Sequence, residues 1–170
     1  MKNSKGFSLV ELLIVIAIIL IIAAIAIPNL LQARIAANEA SAESSIRVIV
    51  TAQTAYYQAN PTVGYAPLLS NLGAGGANPC VPSPATACLM DDSLALAAPG
   101  GQGKSGFFFG ATGIPTGTLN TNFVGGGTPR VNGSTGNHNY CASAEGVIRV
   151  GPVGGIVTTT AACNAYPVAQ

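Results

Sequence analysis

The chain has 170 residues, of which 49% are hydrophobic and only 8% are charged. Soluble domains usually carry about 25% charged residues, so part of this chain has a composition unlike that of a soluble domain. The net charge of +1 gives no support for a nucleic-acid-binding protein, which would carry a basic face or stripe.

The deficit of charge is concentrated near the N-terminus. Lys2 and Lys5 come first, and 16 uninterrupted apolar residues follow from Leu12 to Ile27. About 20 residues of helix cross the hydrocarbon core of a bilayer. Lysines that flank such a helix stay on the cytoplasmic side. The pattern therefore predicts a membrane-spanning helix followed by an exported domain.

Glu11 is the one charged residue between Phe7 and Leu31. A charge inside a membrane span is costly and by default functional, with a partner to be named. Cleavage after Gly6 would supply that partner, because Phe7 would then carry a free amino group four residues from Glu11. The amino group could belong to the same chain or to a neighbouring one, and the sequence leaves both open.

The stretch "KGFSLVELLIVIAIILIIAAIAIPN" at residues 5–29 resembles the class III signal and N-terminal helix of type IV pilins and type II secretion pseudopilins. The resemblance implies that a prepilin peptidase removes a leader of residues 1–6 by cutting after Gly6. It also implies N-methylation of Phe7 and places Glu11 at the fifth mature position, where that family has a glutamate. The subunits of such proteins polymerise through this helix.

Two other interpretations of the N-terminus remain open. A secretory signal peptide could end at Ala24-Ile25-Ala26, although the apolar run is longer than the roughly 7–15 residues of a signal h-region. A plain signal anchor explains the length and the orientation but not Glu11. Either would make the chain a membrane-anchored or secreted binding protein that does not polymerise.

A second helical segment follows the apolar one. Its apolar side chains recur at helical spacing, and Asn60-Pro61 is a stop signal, which together predict one helix from Phe7 to Ala59. Residues 7–28 form the membrane or filament-core half and residues 29–60 the amphipathic half. Pro28 is either a simple kink near the membrane exit or, as the resemblance implies, a weak point that can stretch or melt when subunits pack. The predicted stripe consists of Leu31, Ile35, Ala42, Ile46, Ile49, Gln53 and Tyr56.

Residues 61–170 are predicted to form the exported, β-rich domain. Short apolar runs bounded by glycine and asparagine are typical of antiparallel strands, with residues 144–146 as one hairpin connection. We expect an α+β fold in which the second half of the helix packs on a small antiparallel sheet. The candidate strands lie at residues 106–110, 122–124, 139–143, 146–150 and 155–160.

Four cysteines all lie in this second part, which favours disulfides and an oxidising compartment. Proximity favours Cys80 with Cys88 and Cys141 with Cys163, and two bridges would staple a small, glycine-rich core. The other two connectivities, and four free thiols, remain alternatives.

The sequence gives little evidence of catalytic chemistry. His138 is the one histidine, and no nucleophile–base set or phosphate-binding loop is recognisable, so no enzyme and no cofactor are predicted. Asp91 and Asp92 are candidate calcium ligands, and the alternative is a solvated turn or a helix N-cap ahead of the following apolar residues.

These features predict the structural subunit of a type IV pilus-like filament, held in the inner membrane by one span before it assembles into a periplasmic or cell-surface filament. The expected partners are further copies of the chain, the peptidase and methyltransferase, and a pilus or secretion assembly machinery, with no direct nucleic-acid site. The alternative within the same family is the major pseudopilin of a type II secretion system. Adhesion, motility, DNA uptake and secretion are not distinguished by the sequence.

Overall fold

The structure, a computed structural model, describes residues 6–169. The predicted leader therefore lies outside the described residues except for Gly6. The chain order is helix α1 (Leu9–Ala59), a 3-10 helix (Leu69–Leu72), helix α2 (Asp92–Ala95), strands β1 (Phe107–Thr116), β2 (Leu119–Pro129), β3 (His138–Ser143) and β4 (Arg149–Pro152), and helix α3 (Thr160–Asn164).

The chain divides into two compact units at Arg34/Ile35. In the described part of the first unit, α1 leaves nearly all of its apolar side chains exposed. The second unit, from Ile35 onward, contains the rest of α1, the sheet and the hydrophobic core. The predicted boundaries at residues 28/29 and 60/61 stay predictions.

Within the second unit, α1 buries one face, and its buried side chains recur every three or four residues as expected for an amphipathic helix. Leu31 of the predicted stripe lies in the first unit and is 55% exposed. The buried face begins only at Ala42. Its members are Ala42, Ser45, Ile46, Ile49, Ala52, Gln53 and Tyr56.

Helix α1 ends where the sequence predicts. The N–H of Asn60 donates to the carbonyl of Tyr56 at 2.9 Å, which closes the last turn. Pro61 follows, and proline disfavours the helical conformation in the residue before it. The helix therefore stops at Ala59.

The four strands form one antiparallel sheet in the order β1-β2-β3-β4. Side chains from α1 and from the inner face of this sheet share one core, in which Ile46, Ile49, Phe107, Phe109 and Tyr140 are buried. The predicted α+β fold, with the second half of the helix packed on a small antiparallel sheet, is confirmed. The connection at residues 144–146 joins β3 to β4 as expected, and the N–H of Gly146 donates to Ser143.

The first two strands are longer than predicted. Strand β1 continues through "ATGIPT", and β2 contains "GGGTP". Glycine and proline usually mark turns, which is why the sequence indicated much shorter strands here. Pro115 is tolerated because the pairing register shifts between Ile114 and Pro115, and proline in a sheet is confined to edges and bulges.

Three consecutive glycines in β2 allow close packing on both faces of the sheet. A Cβ added at Gly125 would lie 2.9 Å from Cγ2 of Ile49 on α1, and one at Gly126 would lie 3.0 Å from the carbonyl oxygen of Val157. Successive side chains of a strand point to opposite faces. Strand β2 is therefore covered by α1 on one side and by the segment around Val157 on the other.

The prediction of a strand at residues 155–160 is wrong. Gly155 has φ +100°, a conformation that strands of L-residues do not use. The side chain of Ile156 lies over Gly110 and Gly126, so this segment packs across the face of the sheet rather than at its edge. The run ends at Thr159, whose side chain accepts from the N–H of Ala162 and caps α3. The predicted strand at 146–150 begins only at Arg149.

Two disulfides are present, Cys80–Cys88 and Cys141–Cys163, and no free cysteine is found in the described residues. The first bond closes an eight-residue separation in the connection before α2. The second ties β3 to α3 across 22 residues and is buried with Val124 and Val157.

Candidate assembly and processing site

The described part of the N-terminal unit is an apolar helix with exposed side chains. Helix α1 is long and apolar enough to cross a membrane. Phe7 is 78% exposed and Leu9 is 77% exposed. Burying apolar surface is worth about 25 cal/mol per Å², so this surface is stable only in lipid or against other apolar helices.

The first turn of α1 has a cap that sequence reasoning missed. The backbone N–H of Ser8 donates to Oε2 of Glu11 at 2.8 Å. The N–H of Val10 points to Oγ of Ser8 at 3.4 Å. Ser8 precedes the helix and Glu11 is its third residue, which is the S-x-x-E capping-box pattern. The signal was present in the sequence as "SLVE".

Glu11 thus has a partner within its own chain, although it is a backbone donor and not a cation. Within residues 6–169, Glu11 makes no ion pair. Gly6 and Phe7 precede α1 in an exposed, irregular segment, and no atom lies within 4 Å of a Cβ built on Gly6. Both residues of the predicted cleavage site are therefore exposed, and the cleavage itself stays a prediction.

Pro28 lies inside α1, which continues without interruption on both sides of it. Proline removes one helical hydrogen bond and contacts the preceding turn. The next residue reinforces this turn, because Nδ2 of Asn29 donates to the carbonyl of Ile25 at 3.2 Å. The side chain of Asn29 thus adds a bond to the carbonyl of Ile25, which is the residue next to Ala24, whose carbonyl loses its helical donor at Pro28.

Asp91 and Asp92 use their carboxylates to hold the chain. Asp91 caps α2 by accepting the N–H of Ser93 at 2.7 Å and its hydroxyl at 2.8 Å. These bonds lower the pKa of Asp91 below its ordinary value. Asp92 accepts three consecutive backbone N–H groups, from Ala74 at 2.7 Å, Gly75 at 3.1 Å and Gly76 at 2.7 Å. Within residues 6–169, no three or more His, Cys, Asp or Glu side chains are grouped to hold a metal ion.

His138 is not a free loop residue. Its Nδ1 lies 3.0 Å from Oε1 of Glu39 on α1, and the same oxygen accepts the N–H of Asn137 at 2.6 Å. Glu39 thus links α1 to the start of β3. In the same strand, burial, together with the negative charges of Glu39 and Glu43, raises the pKa of Tyr140 to about 12.

Comparison with known proteins matches the same N-terminal segment. Residues 1–27 match the family model of the prokaryotic N-terminal methylation motif. The type IV wide pilus major component PilA4 of Thermus thermophilus is 54% identical over 56 residues, which are 33% of this chain and 43% of that protein. The type IV major pilin protein PilA of Myxococcus xanthus is 29% identical over 116 residues, or 56% of this chain and 53% of that protein.

The matched regions thus span about half the length of these curated relatives. No solved structure matches the chain. The apolar helix, the methylation motif and the disulfide-bonded α+β domain define a protein that combines a membrane-type N-terminal helix with a separate folded domain. The chain is thus similar to two type IV major pilins over part of its length, and its N-terminus matches the methylation motif.

Proposed function

We propose that this chain is the structural subunit of a type IV pilus-like filament, cleaved after Gly6 and polymerised through the N-terminal half of α1. The observation that carries this proposal is the exposed apolar helix, which bears the methylation motif. Before assembly the bilayer covers that surface. In the filament the corresponding helices of other copies replace the lipid.

The replacement of lipid by other helices implies an order in which the subunit meets its partners. The inner membrane holds the unassembled subunit by one span, with residues 1–6 on the cytoplasmic side. A prepilin peptidase removes the leader and the new amino group of Phe7 is methylated. An assembly machinery then moves the helix from lipid to the filament, where the second unit lies in the periplasm or on the cell surface.

Glu11 has a proposed role in that filament. A buried charge that loses its partner is strongly penalised, whereas a well-placed ion pair is tolerated. In a bundle of apolar helices, the carboxylate of Glu11 therefore favours positions beside the amino group of a neighbouring Phe7. The pair sets the axial register of docking more than it adds stability.

We propose a structural role for Asp91 and Asp92 in place of a calcium site. Their carboxylate oxygens accept the hydrogen bonds from Ser93 and from residues 74–76 described above. A cation would have to compete with those donors.

The proposal is tested by shearing filaments from cells and identifying the main protein band by mass spectrometry. We expect this chain as the main band, and we expect filaments to disappear on deletion of its gene and to return on complementation. Recovery only from the periplasm, in short filaments tied to secretion, would instead identify a pseudopilin. A membrane or secreted protein absent from every filament fraction would contradict both.

A further inference from the structure

Strand β1 forms one outer edge of the sheet, because it stands at the end of the order β1-β2-β3-β4. Two segments that precede β1 in the chain cover this edge. The N–H of Phe109 donates to the carbonyl of Ala97 at 2.8 Å, and the N–H of Gly113 donates to the carbonyl of Pro67 at 3.1 Å. Because hydrogen-bonding directions alternate along an antiparallel strand, the N–H of every second residue here points away from β2.

Ala111 lies midway between these two bonded positions, and its N–H also points away from β2. Within residues 6–169, no backbone carbonyl and no side-chain oxygen accepts this N–H. Ala111 is 4% exposed, so the donor is also shielded from bulk water. Buried N–H groups without an acceptor are rare and costly, which makes this donor a candidate contact for a bound molecule.

An apolar cavity of about 460 Å³ lies at the same place, and Ala111 is one of its lining residues. It belongs entirely to the second unit, and its volume is typical of small-molecule sites. None of its lining residues is charged. Ser70 and Thr158 are exposed and add hydroxyl groups. The apolar walls include Leu68, Leu69, Leu96, Pro99, Phe109 and Ile156.

We propose that this cavity binds a neutral acyl amide or ester. The carbonyl oxygen accepts the N–H of Ala111, and the alkyl chain packs on the apolar walls. A charged ligand does not suit the site, because burying a charge without a partner is strongly unfavourable. This inference goes beyond the proposed filament function, since the site depends on neither cleavage nor polymerisation.

Two simpler occupants explain less of the site. An ordered water needs two to four polar partners, whereas the walls beside Ala111 are apolar. An added peptide strand uses a run of main-chain bonds. Only one donor lies between the bonded positions of Phe109 and Gly113. One acceptor joined to an apolar body matches one donor in an apolar cavity.

The test observes the Ala111 amide directly by solid-state NMR of the full-length chain in phosphatidylethanolamine–phosphatidylglycerol vesicles. Labelling glycine with ¹³C at the carbonyl and alanine with ¹⁵N selects the alanine amides that follow a glycine. Ala74 and Ala77 serve as internal references, because their N–H groups already donate to Asp92 and to the carbonyl of Ala74. The Gly-Ala pairs of the sequence are 73–74, 76–77 and 110–111.

The probe is N-methylhexanamide, added at measured free aqueous concentrations. We expect a saturable shift of the Ala111 amide with half-saturation at about 1 mM, while the two reference amides stay in place. N-methylacetamide carries the same acceptor without the alkyl chain, and hexanoate carries the chain with a charge. Each should need at least about tenfold more compound for the same shift.

A filling variant tests the cavity itself. Ala98 lines the cavity and is exposed, so Ala98→Phe should fold and should abolish the response of Ala111 to the probe. Ala144→Phe is the matched control, because Ala144 is exposed in the β3–β4 connection, and it should respond like the wild type.

Several results would overturn the proposal. These are an unshifted Ala111 amide, a shift that the reference amides share, an equal response to hexanoate, and a full response in Ala98→Phe. A contact between this amide and water that persists at saturating probe would identify water as the occupant. An Ala111 signal that changes when labelled chains are diluted with unlabelled chains, without probe, would identify a second copy. Filament yield is measured separately, so failure of the ligand site leaves the proposed function standing.

Discussion

Glu11 has two roles, one as a cap of helix α1 and one as the proposed partner of an amino group. Its bond to the N–H of Ser8 is part of the folded chain, whereas its pairing with an amino group depends on proteolysis. The capping-box spacing of Ser8 and Glu11 was equally visible in the sequence, but the apolar surroundings made a partner charge the more obvious requirement.

Replacing Glu11 separates insertion from assembly. We expect Glu11→Ala to be cleaved and inserted in the membrane, with filament yield reduced at least about tenfold, because an unpaired buried ammonium costs roughly 3–5 kcal/mol. The measurement compares sheared filament protein with membrane-bound subunit by immunoblot. Glu145→Gln serves as control. Normal filament yield from Glu11→Ala would contradict the role in register.

Asp92 gives a second prediction for a single residue. Its carboxylate satisfies three backbone N–H groups of the segment 74–76. We expect Asp92→Ala to lower the free energy of unfolding by about 1–3 kcal/mol, since hydrogen bonds to a charged group are lost together. The measurement is urea unfolding of the full chain in detergent micelles, followed by circular dichroism.

The same experiment addresses calcium. If Asp92 is structural, adding calcium or a chelator leaves the unfolding midpoint of the wild-type chain unchanged. A midpoint that rises with calcium in the wild type and not in Asp92→Ala would show that the carboxylate binds the ion. Glu145→Gln should unfold like the wild type in either solution, because exposed substitutions usually change stability by less than 0.5 kcal/mol.

Among the elements, β2 depends most on its glycines. At Gly125 an added methyl group would lie 2.9 Å from Ile49 of α1, which is closer than packed carbon atoms approach. We expect Gly125→Ala to cost about 1–3 kcal/mol by overpacking between helix and sheet. Gly154→Ala is the control, because nothing lies within 4 Å of its Cβ position. Equal stability of the two variants would disprove close contact between α1 and β2.

The two disulfides differ in place and in loop length. Cys141–Cys163 closes the longer separation of 22 residues and lies in a buried cluster. From loop-closure entropy alone, Cys141–Cys163 should raise the free energy of unfolding by about 1 kcal/mol more than the bridge with the eight-residue separation. We expect the double variant Cys141→Ala/Cys163→Ala to be less stable than Cys80→Ala/Cys88→Ala in urea unfolding. The opposite order would contradict this account.

Peptide mapping under non-reducing conditions tests the pairing itself. We expect one linked pair from the connection before α2 and another that joins β3 to α3. A peptide that links Cys80 to Cys141 would contradict both bonds, since each cysteine has only one partner.

The sequence predicted elements best where one physical signal dominated. The continuous apolar run and Asn60-Pro61 placed α1 almost to the residue. The glycines of β2 were interpreted as turn residues, because the sequence does not distinguish a glycine required by close packing in a strand from one required by a turn. Only the positions of Ile49 and Val157 explain why side chains are excluded there. The β-branched run at 156–160 looked like a strand, but its apolar residues cover a sheet face.

At the scale of the whole molecule, two kinds of surface account for the chain. In the second unit, apolar side chains of α1 and the sheet bury one another. In the described first unit, apolar side chains remain exposed, so stability there depends on lipid or on other chains. The sequence alone predicted that an apolar helical segment is followed by a folded domain, because hydropathy depends on composition and not on details of packing. The Ser8 cap and the carboxylate bonds of Asp92 needed atomic positions.

The central claim is that cleavage after Gly6 converts a membrane precursor into a filament subunit. It is tested most directly by the mass of the N-terminal peptide of this chain in sheared filaments. We predict a peptide that begins at Phe7 and carries one added methyl group. A peptide that begins at Ile27, or an intact N-terminus that retains residues 1–6, would contradict the claim.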